Sequence, residues 1–564
     1  MGLNLAQKLP ATGTDVFLGD RAAVDGDHLG AEILGDPRQL GDALARVQAA
    51  ESVLFSRDPH LAAIGFIFTP LTAMMELPAV LLAQLWPDMT ARAFAGSLMS
   101  ATFMAAAVVQ MFATGADRGL PRGYVVTITA LFALNPMIVF YGSNGMSEAP
   151  FVFFLVWSVR RLVLWMVDDD VHHLVAAGGI AMALAYLTRY DAVGTVAAAG
   201  ILVGATTFRR ARTPPRVHRA LLDLLLVAGP GFAAFVGWAV ASWLITGDAF
   251  AQFTSQYGNK AILEQSGGAN ATSFGSGLKF SAVCILLLAP TLIPVALWAV
   301  VSRWRRPNWL VLTVPVLLYG AVLTFQIYTY ARGGTFPFLR FYIVAIPFVA
   351  SVAMLAVPEG ALAEPKRRGR YAPPPAAVPT TRSSGRAYAA VALAIAVGIP
   401  VTAWGMSLPA FAPQEYALGA VLRPDPDNTS PRKAVERRIA ATFSTEREIA
   451  AYLDSLDLPD SSVITDTVYG FAVVAASTRP RMFVVPSDPD FTRILNDPAA
   501  HGVQYLLVVP RSGRGLSDAL NQRYPTLYET GADVATLELE IPNDGDSQPD
   551  WRLYRVAEPV EPTA

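Results

Sequence analysis

Asp42, Glu148, Arg189, Arg340, Arg332 and Lys260 lie near the ends of apolar segments, where an ionisable side chain is costly unless paired, hydrated or used. Two are carboxylates and four are cations. A carboxylate hydrogen-bonded to a hydroxyl can take its proton during attack. Arginine grips a phosphate through parallel hydrogen bonds and so suits a phosphate leaving group. Together the two residue types suit transfer of a group from a phosphorylated donor to an acceptor hydroxyl. Arg46, Tyr190, Asp191 and Tyr342 stand close by in the sequence and are expected to support them. Plain structural readings stay open beside this one. Asp42 can pair with Arg46 at a helix start, Glu148 can favour a helix N-terminus, Arg189 can pair with Asp191, and Arg340 can snorkel to lipid headgroups. His60 is expected to be structural. The run "DDDVHH" at 168–173 has metal-ligating residue types, but a solvated turn is the expected reading, and no metal site is assigned. No cofactor is implied, and a divalent metal stays open.

The elements that must position these residues are apolar. The chain has 564 residues, 53% hydrophobic and 16% charged, which points to a multi-spanning membrane protein rather than a soluble enzyme. A net charge of −2 gives no field for nucleic acid. The single cysteine, Cys284, excludes an intrachain disulfide and a cysteine-based metal cluster. Arg far outnumbers Lys and Ala is abundant, which fits a GC-rich, actinobacterial source. A span needs roughly 20 apolar residues. About ten segments qualify, near 91–113, 123–142, 149–167, 173–189, 192–207, 220–245, 278–302, 308–330, 340–357 and 387–408. The segment 70–86 carries Glu76 and Pro78 and is expected to lie in the interface. Basic loops at 116–122, 208–219, 302–307 and 364–386 all fall on one side, expected to be cytoplasmic. Asp42, Glu148, Arg189, Lys260, Arg332 and Arg340 then share the outer side.

The expected organisation follows. Residues 1–40 contain no apolar run and are read as poorly ordered, or as lacking a first span. Residues 41–408 form the transmembrane domain, with an interfacial first outer loop at 41–90. Residues 364–386 are a flexible cytoplasmic linker and 409–435 a second linker. Residues 436–564 form an extracytoplasmic α/β domain. In it, "STEREIAAYLDSL" reads as an amphipathic helix with Ser444 as N-cap. "SSVITD", "RMFVVPS", "VQYLLVVP", "VATLELEI" and "WRLYRV" read as strands. "DPDFTRILNDPAAHG" reads as a short helix closed by Gly502. This domain has no nucleotide-binding glycine fingerprint and is expected to bind an acceptor or act as a scaffold. The fold class is thus an α-helical polytopic membrane protein with a C-terminal soluble α/β domain.

On the outer side a lipid-linked sugar is the natural phosphorylated donor. Five stretches, in order, resemble the GT-C superfamily of integral-membrane glycosyltransferases. They are "GDALARVQAA", "IFTPLTAMMELPAVLLAQLWPDMTARAFAGSL", "LFALNPMIVFYGSNGMSEAPFVFFLV", "YLTRYDA" and "FLRFYIVAIP", within about 41–345. The resemblance is to the protein O-mannosyltransferase and lipid A aminoarabinose transferase branch, glycosyltransferase family 39-like. It implies a polyprenyl-phosphate sugar donor, an envelope glycan, lipid or protein as acceptor, and inversion at the sugar carbon. It implies Asp42 as general base, Glu148 as its partner in orienting the acceptor, and Arg189, Arg340, Arg332 and Lys260 on the donor phosphate. Two features depart from the family. No span precedes Asp42, and "FTPL" stands where the family has a histidine before "PPL". The competing classes are a lipid or glycan transporter or flippase, and a non-catalytic scaffold displaying the outer domain. No internal repeat is present, and Arg160 and Arg161 are the charges near the middle of a segment.

Overall fold

The computed structural model describes residues 41–211, 215–265, 273–304, 309–357, 384–416, 418–422, 425, 427–546 and 548–557. The expectations for residues 1–40 and for 364–383 of the linker lie outside these. Among the described residues, eight helices are long and apolar enough to cross a membrane. They are Phe94–Ala116, Glu148–Asp168, Val171–Thr188, Ala192–Arg210, Arg216–Thr246, Trp309–Ala331, Leu339–Ala356 and Gly385–Met406. Phe274–Leu288 and Leu292–Arg303 make a ninth if they are one crossing, bent by 73°. Pro290 sits in the bend, where it removes a backbone donor and stops the first helix continuing.

The sequence reading counts about ten spans; the tenth, 123–142, is a broken crossing that runs from Tyr124, donating to the Ala353 carbonyl at one end of the bundle, to Tyr141 beside Arg340 at the other. That stretch is two short helices, Arg122–Ala133 and Pro136–Tyr141. The Asn135 side chain accepts the Met137 N–H, and Pro136 follows at the first helical position, so a new helix starts there. The 70–86 stretch is the helix Leu71–Val80 and one further turn to Gln84, too short to cross. Beyond it Leu81, Leu82, Leu85 and Trp86 are exposed, the apolar row that a helix in the interface presents.

The Leu339–Ala356 helix fixes the two ends of the bundle. It is buried along nearly its whole length, and Arg340 sits at its start. At its other end Arg118 donates to the carbonyls of Met354 and Val357, and Arg303 to those of Leu355 and Val357. These last carbonyls have no N–H left within the helix, so the guanidiniums cap it and match its dipole. The basic loops carrying Arg118 and Arg303 are therefore at the end opposite Arg340. At the periphery, Arg216–Thr246 crosses Val171–Thr188 so closely that a Cβ on Gly178 would stand 2.1 Å from the Val227 Cα. Only glycine fits there.

The soluble part is one five-stranded sheet, ordered β2-β1-β3-β5-β4. Its strands are β1 Val463–Ile464, β2 Phe483–Val484, β3 Tyr505–Val508, β4 Ala535–Ile541 and β5 Trp551–Val556. β1 pairs in parallel with β2 and β3, while β5 runs antiparallel to β3 and β4. Apolar side chains alternate to the two faces, and each face packs its own helices. Ser444 is not the N-cap of its helix. Phe443 takes that position, its ring seated edge-on against Phe471, and Ser444 is the first helical residue.

The first outer loop is a layer between the two parts. Its helix Gly41–Phe55 shares one apolar cluster with Ala73, Val80 and Ala95 on one side and with Phe443, Phe471 and Ala475 of the soluble domain on the other. Arg57 clamps the layer to the sheet domain, donating to Asp488 at 2.8 Å and to Asp490. Residues 409–416 are tied down as well. Phe411 accepts the Leu339 N–H at 2.8 Å, and Tyr141 donates to the buried Glu415 at 2.6 Å.

Candidate active site

Four stretches of chain meet at the end of the bundle marked by Arg340. The helix Gly41–Phe55 brings Asp42 and Arg46; Gly145 lets it sit close, with a left-handed φ of 75° and no Cβ to crowd Ala43. Glu148 opens the Glu148–Asp168 helix. Arg189 and Asp191 form the break between the Val171–Thr188 and Ala192–Arg210 helices.

The side chains form one ion network. Arg340 donates to the Asp42 carboxylate at 3.1 Å, and its Nε lies 3.9 Å from Glu148. Arg189 donates to Glu148 at 2.7 Å and, through two nitrogens, to Asp191 at 3.1 and 2.8 Å. Gln326 donates to the same Asp191 oxygen at 2.6 Å. Arg46 donates to the Asp42 backbone carbonyl at 3.1 Å and stacks over the Phe68 ring. The Met146 sulfur sits between Arg46 and Arg340. Phe341 lies against both Arg189 and Arg340. Glu148, Asp191, Arg46 and Arg340 are buried, whereas the Asp42 side chain keeps 43% exposure, so it is the carboxylate that solvent reaches.

Burial pushes the Asp42 carboxyl upward, but the charges of Arg340 and Arg46 and the Arg340 hydrogen bond outweigh it, and the group lies below its ordinary value. It is therefore ionised at neutral pH. The soluble domain contributes to this field through Arg514. Glu76 lies behind Arg46, fully buried, with neither carboxylate oxygen hydrogen-bonded. Burial pushes it well above the usual range, toward the neutral acid. Asp42, Glu148 and Asp191 then face Arg46, Arg189 and Arg340, three against three. Were Asp42 to act as a base, its deprotonated form would be the competent one, and the acid limb of a rate profile would lie below the ordinary carboxylate range. Arg46→Gln removes one stabilising cation, raises the Asp42 pKa and moves that limb to higher pH. A pH–rate profile of the two proteins checks the shift.

The other sequence candidates divide. Lys260 is exposed, 3.9 Å from Glu264, and lines a cavity of about 320 Å³ with Tyr190, Gln326 and Thr335. This cavity adjoins the network through Tyr190 and Gln326. Arg332 does not join it; its guanidinium stacks over Tyr328 and is exposed. Tyr342 is buried and bonds Ser281 at 2.6 Å, which fixes the Leu339–Ala356 helix against Phe274–Leu288. His60 bonds the Asp58 carbonyl locally. In the 168–173 run His173 pairs with Asp168 and His172 with Asp170, while Asp169 meets Arg210 and Arg219. Arg160 pairs with Asp117 and Gln110, and Arg161 meets His173, so neither lines the network. Gln326, Glu415 and Arg514 are absent from the sequence candidates. Gln326 carries a signal, being a lone amide in "LTFQIYTY".

No family model matches the chain, and no curated protein matches it by sequence. Solved structures do match it. ArnT from Cupriavidus metallidurans bound to undecaprenyl phosphate is 12% identical, over 93% of this chain and 95% of that one, at a TM-score of 0.50. The archaeal oligosaccharyltransferase AglB from Archaeoglobus fulgidus, in complex with an inhibitory peptide and a dolichol-phosphate, is 11% identical over 94% of this chain and 71% of that one, at 0.36. The likeness to ArnT is one of fold. The chain is a polytopic α-helical membrane protein of GT-C-like architecture with a C-terminal soluble domain that carries a β-sheet.

Proposed function

We propose that the chain is a membrane glycosyltransferase that moves a sugar from a polyprenyl-phosphate donor to an extracytoplasmic acceptor, with inversion. One observation carries the reading. Asp42, Glu148, Arg189 and Arg340, from distant parts of the chain, meet in one network at one end of the bundle. In this reading that end faces outward and the basic loops face the cytoplasm. The branch is that of the aminoarabinose and O-mannosyl transferases, in an actinobacterial envelope.

The roles follow from the charges. Asp42, ionised and open to solvent, takes the acceptor proton as the hydroxyl attacks the sugar carbon. The bond from that carbon to the phosphate oxygen breaks, and its electrons leave with the phosphate. Glu148 holds Arg189 and Arg340 in place around it. The network is already neutral, so an arriving phosphate needs further positive charge. Lys260, at the wall of the adjoining cavity, supplies it by turning from Glu264, 3.9 Å away on the same wall. Arg340, shared between Asp42 and Glu148, turns toward the phosphate and releases Asp42 to act as base. Arg332 takes no part in this scheme.

A second cavity, of about 540 Å³, supports a lipid donor. It lies between Ala192–Arg210 and Trp309–Ala331, is floored by Gly194, Ala198, Gly320 and Ala321, and shares Phe325 with the Lys260 cavity. An isoprenoid chain fits this apolar groove with its phosphate toward Lys260. A Cβ on Gly320 would meet nothing within 4 Å, so the position tolerates bulk. Gly320→Trp fills the groove. Transfer from a long-chain polyprenyl-phosphate sugar in membranes should fall at least about tenfold, the worth of two buried methylenes at ~0.8 kcal/mol each. Transfer from a short-chain donor should be little changed. Equal loss with both donors, or no transfer by the unaltered protein, would count against the reading.

A further inference from the structure

A separate cavity of about 450 Å³ lies where the far end of the Gly41–Phe55 helix meets the soluble domain. That volume is in the range of small-ligand sites, about 300–1,000 Å³. Leu54, Phe55 and Pro87 form its walls on the loop side, and Pro480 and Met482 on the sheet-domain side. Buried polar side chains line it, among them Thr90, Ser477, Glu51 and Ser56. Glu51 is 3% exposed and Ser56 is 7% exposed. Neither the Glu51 Oε2 nor the Ser56 Oγ has a hydrogen-bond partner. Buried polar atoms are nearly always satisfied, so two orphans on one cavity wall point to a ligand that supplies the bonds.

The chemistry of the lining narrows the ligand. Arg479 pairs with Asp457, and Arg481 with Asp460 at 2.8 Å, so the rim charges cancel. Burial pushes the Glu51 carboxyl well above its ordinary range, which leaves a neutral acid with an O–H to donate. A charged ligand would have to displace one of these pairs. A sugar ring offers what the cavity asks for: apolar C–H faces for Phe55, Pro87 and Met482, and hydroxyl edges for Glu51 and Ser56.

We infer that this cavity binds a neutral saccharide segment of the acceptor, held by Glu51 and Ser56 and remote from the reacting hydroxyl. The inference rests on the transferase reading and names its acceptor class as a neutral glycan. Glu51 follows Asp42 by nine residues, roughly 13 Å along the helix axis and half a turn around it. The site therefore grips a part of the acceptor that reaches around the helix, several sugar units from the end being extended.

The test uses the full-length protein in detergent. Maltotetraose and mannotetraose serve as neutral probes, tetragalacturonate as an anionic probe and tetra-alanine as a peptide probe. Undecaprenyl phosphate is titrated in parallel. A neutral tetrasaccharide should bind, and Glu51→Leu and Ser56→Ala should each weaken it at least about tenfold. Glu51→Gln, which keeps shape and a donor, should bind within a few-fold of the unaltered protein. Undecaprenyl phosphate should bind all variants alike. The cavity assignment is overturned if neither neutral probe binds, if the variants bind them unchanged, or if tetragalacturonate or tetra-alanine is preferred. Neutral-probe binding that depends on Glu51, in a protein that never binds undecaprenyl phosphate, would keep the site and overturn the transferase reading instead.

Discussion

Asp42→Asn should lower sugar transfer by roughly two orders of magnitude or more, the range for loss of a general base, in a protein that still folds and inserts. The substitution keeps the side chain's shape and its capacity to accept from Arg340. It removes only the basicity. Asp42 suits the role because it combines ionisation with access: two arginines hold its pKa down, while its side chain stays 43% exposed. Glu148, the other carboxylate in reach of Arg340, is 1% exposed and already accepts from Arg189, so an acceptor hydroxyl would have to displace protein to meet it. Single-turnover transfer from a polyprenyl-phosphate sugar, measured beside donor binding, separates the step from the affinity. Donor binding should hold or improve in Asp42→Asn, because Arg340 loses its charged competitor for the phosphate. Near-normal turnover would move the base role to Glu148, and a silent Glu148→Gln beside it would sink the reading.

The bundle was legible because each span reports on itself. A run of apolar residues long enough to cross needs no knowledge of its neighbours. The break within 123–142 comes from Asn135–Pro136, a helix start embedded in an apolar run that hydropathy alone passes over. The five strands were legible for the same local reason, as short β-branched and aromatic runs bounded by turn residues. The site was legible only in part. Asp42, Glu148, Arg189 and Arg340 stood out as charges at span ends, but nothing local tells which of several such charges meet. Arg332 and Arg340 look alike in sequence, but Arg332 folds back over Tyr328, one turn earlier on its own helix, and Arg340 reaches Asp42. Tyr342 follows Arg340 by two residues and faces Ser281 rather than the network. The contributions of Glu51, Ser56 and Arg514 depend on how the soluble domain docks, a long-range fact that no window of sequence contains.

Arg189→Ala should be a folding defect before it is a catalytic one, destabilising the protein by about 3–5 kcal/mol, the cost of breaking a buried charge pair. Arg189 touches two carboxylates at once, Glu148 at 2.7 Å and Asp191 at 2.8 Å, and their side chains are 1% and 2% exposed. Without it, Asp191 keeps only the neutral amide of Gln326, and Glu148 keeps Arg340 at 3.9 Å. Two buried negative charges would then share one cation. The defect should therefore be relieved, not deepened, by a second substitution. Arg189→Ala with Asp191→Asn should melt at a higher temperature than Arg189→Ala alone, because the neutral amide needs no counter-charge. Arg189→Lys should fall between, since a single ammonium cannot fork to both carboxylates as the guanidinium does. Thermal unfolding of the purified variants in detergent reads all three. An Arg189→Ala protein that melts with the unaltered one would mean that the carboxylates shed their charge or reach water. The balance of three acids against three arginines, and with it the demand for Lys260, would then fail.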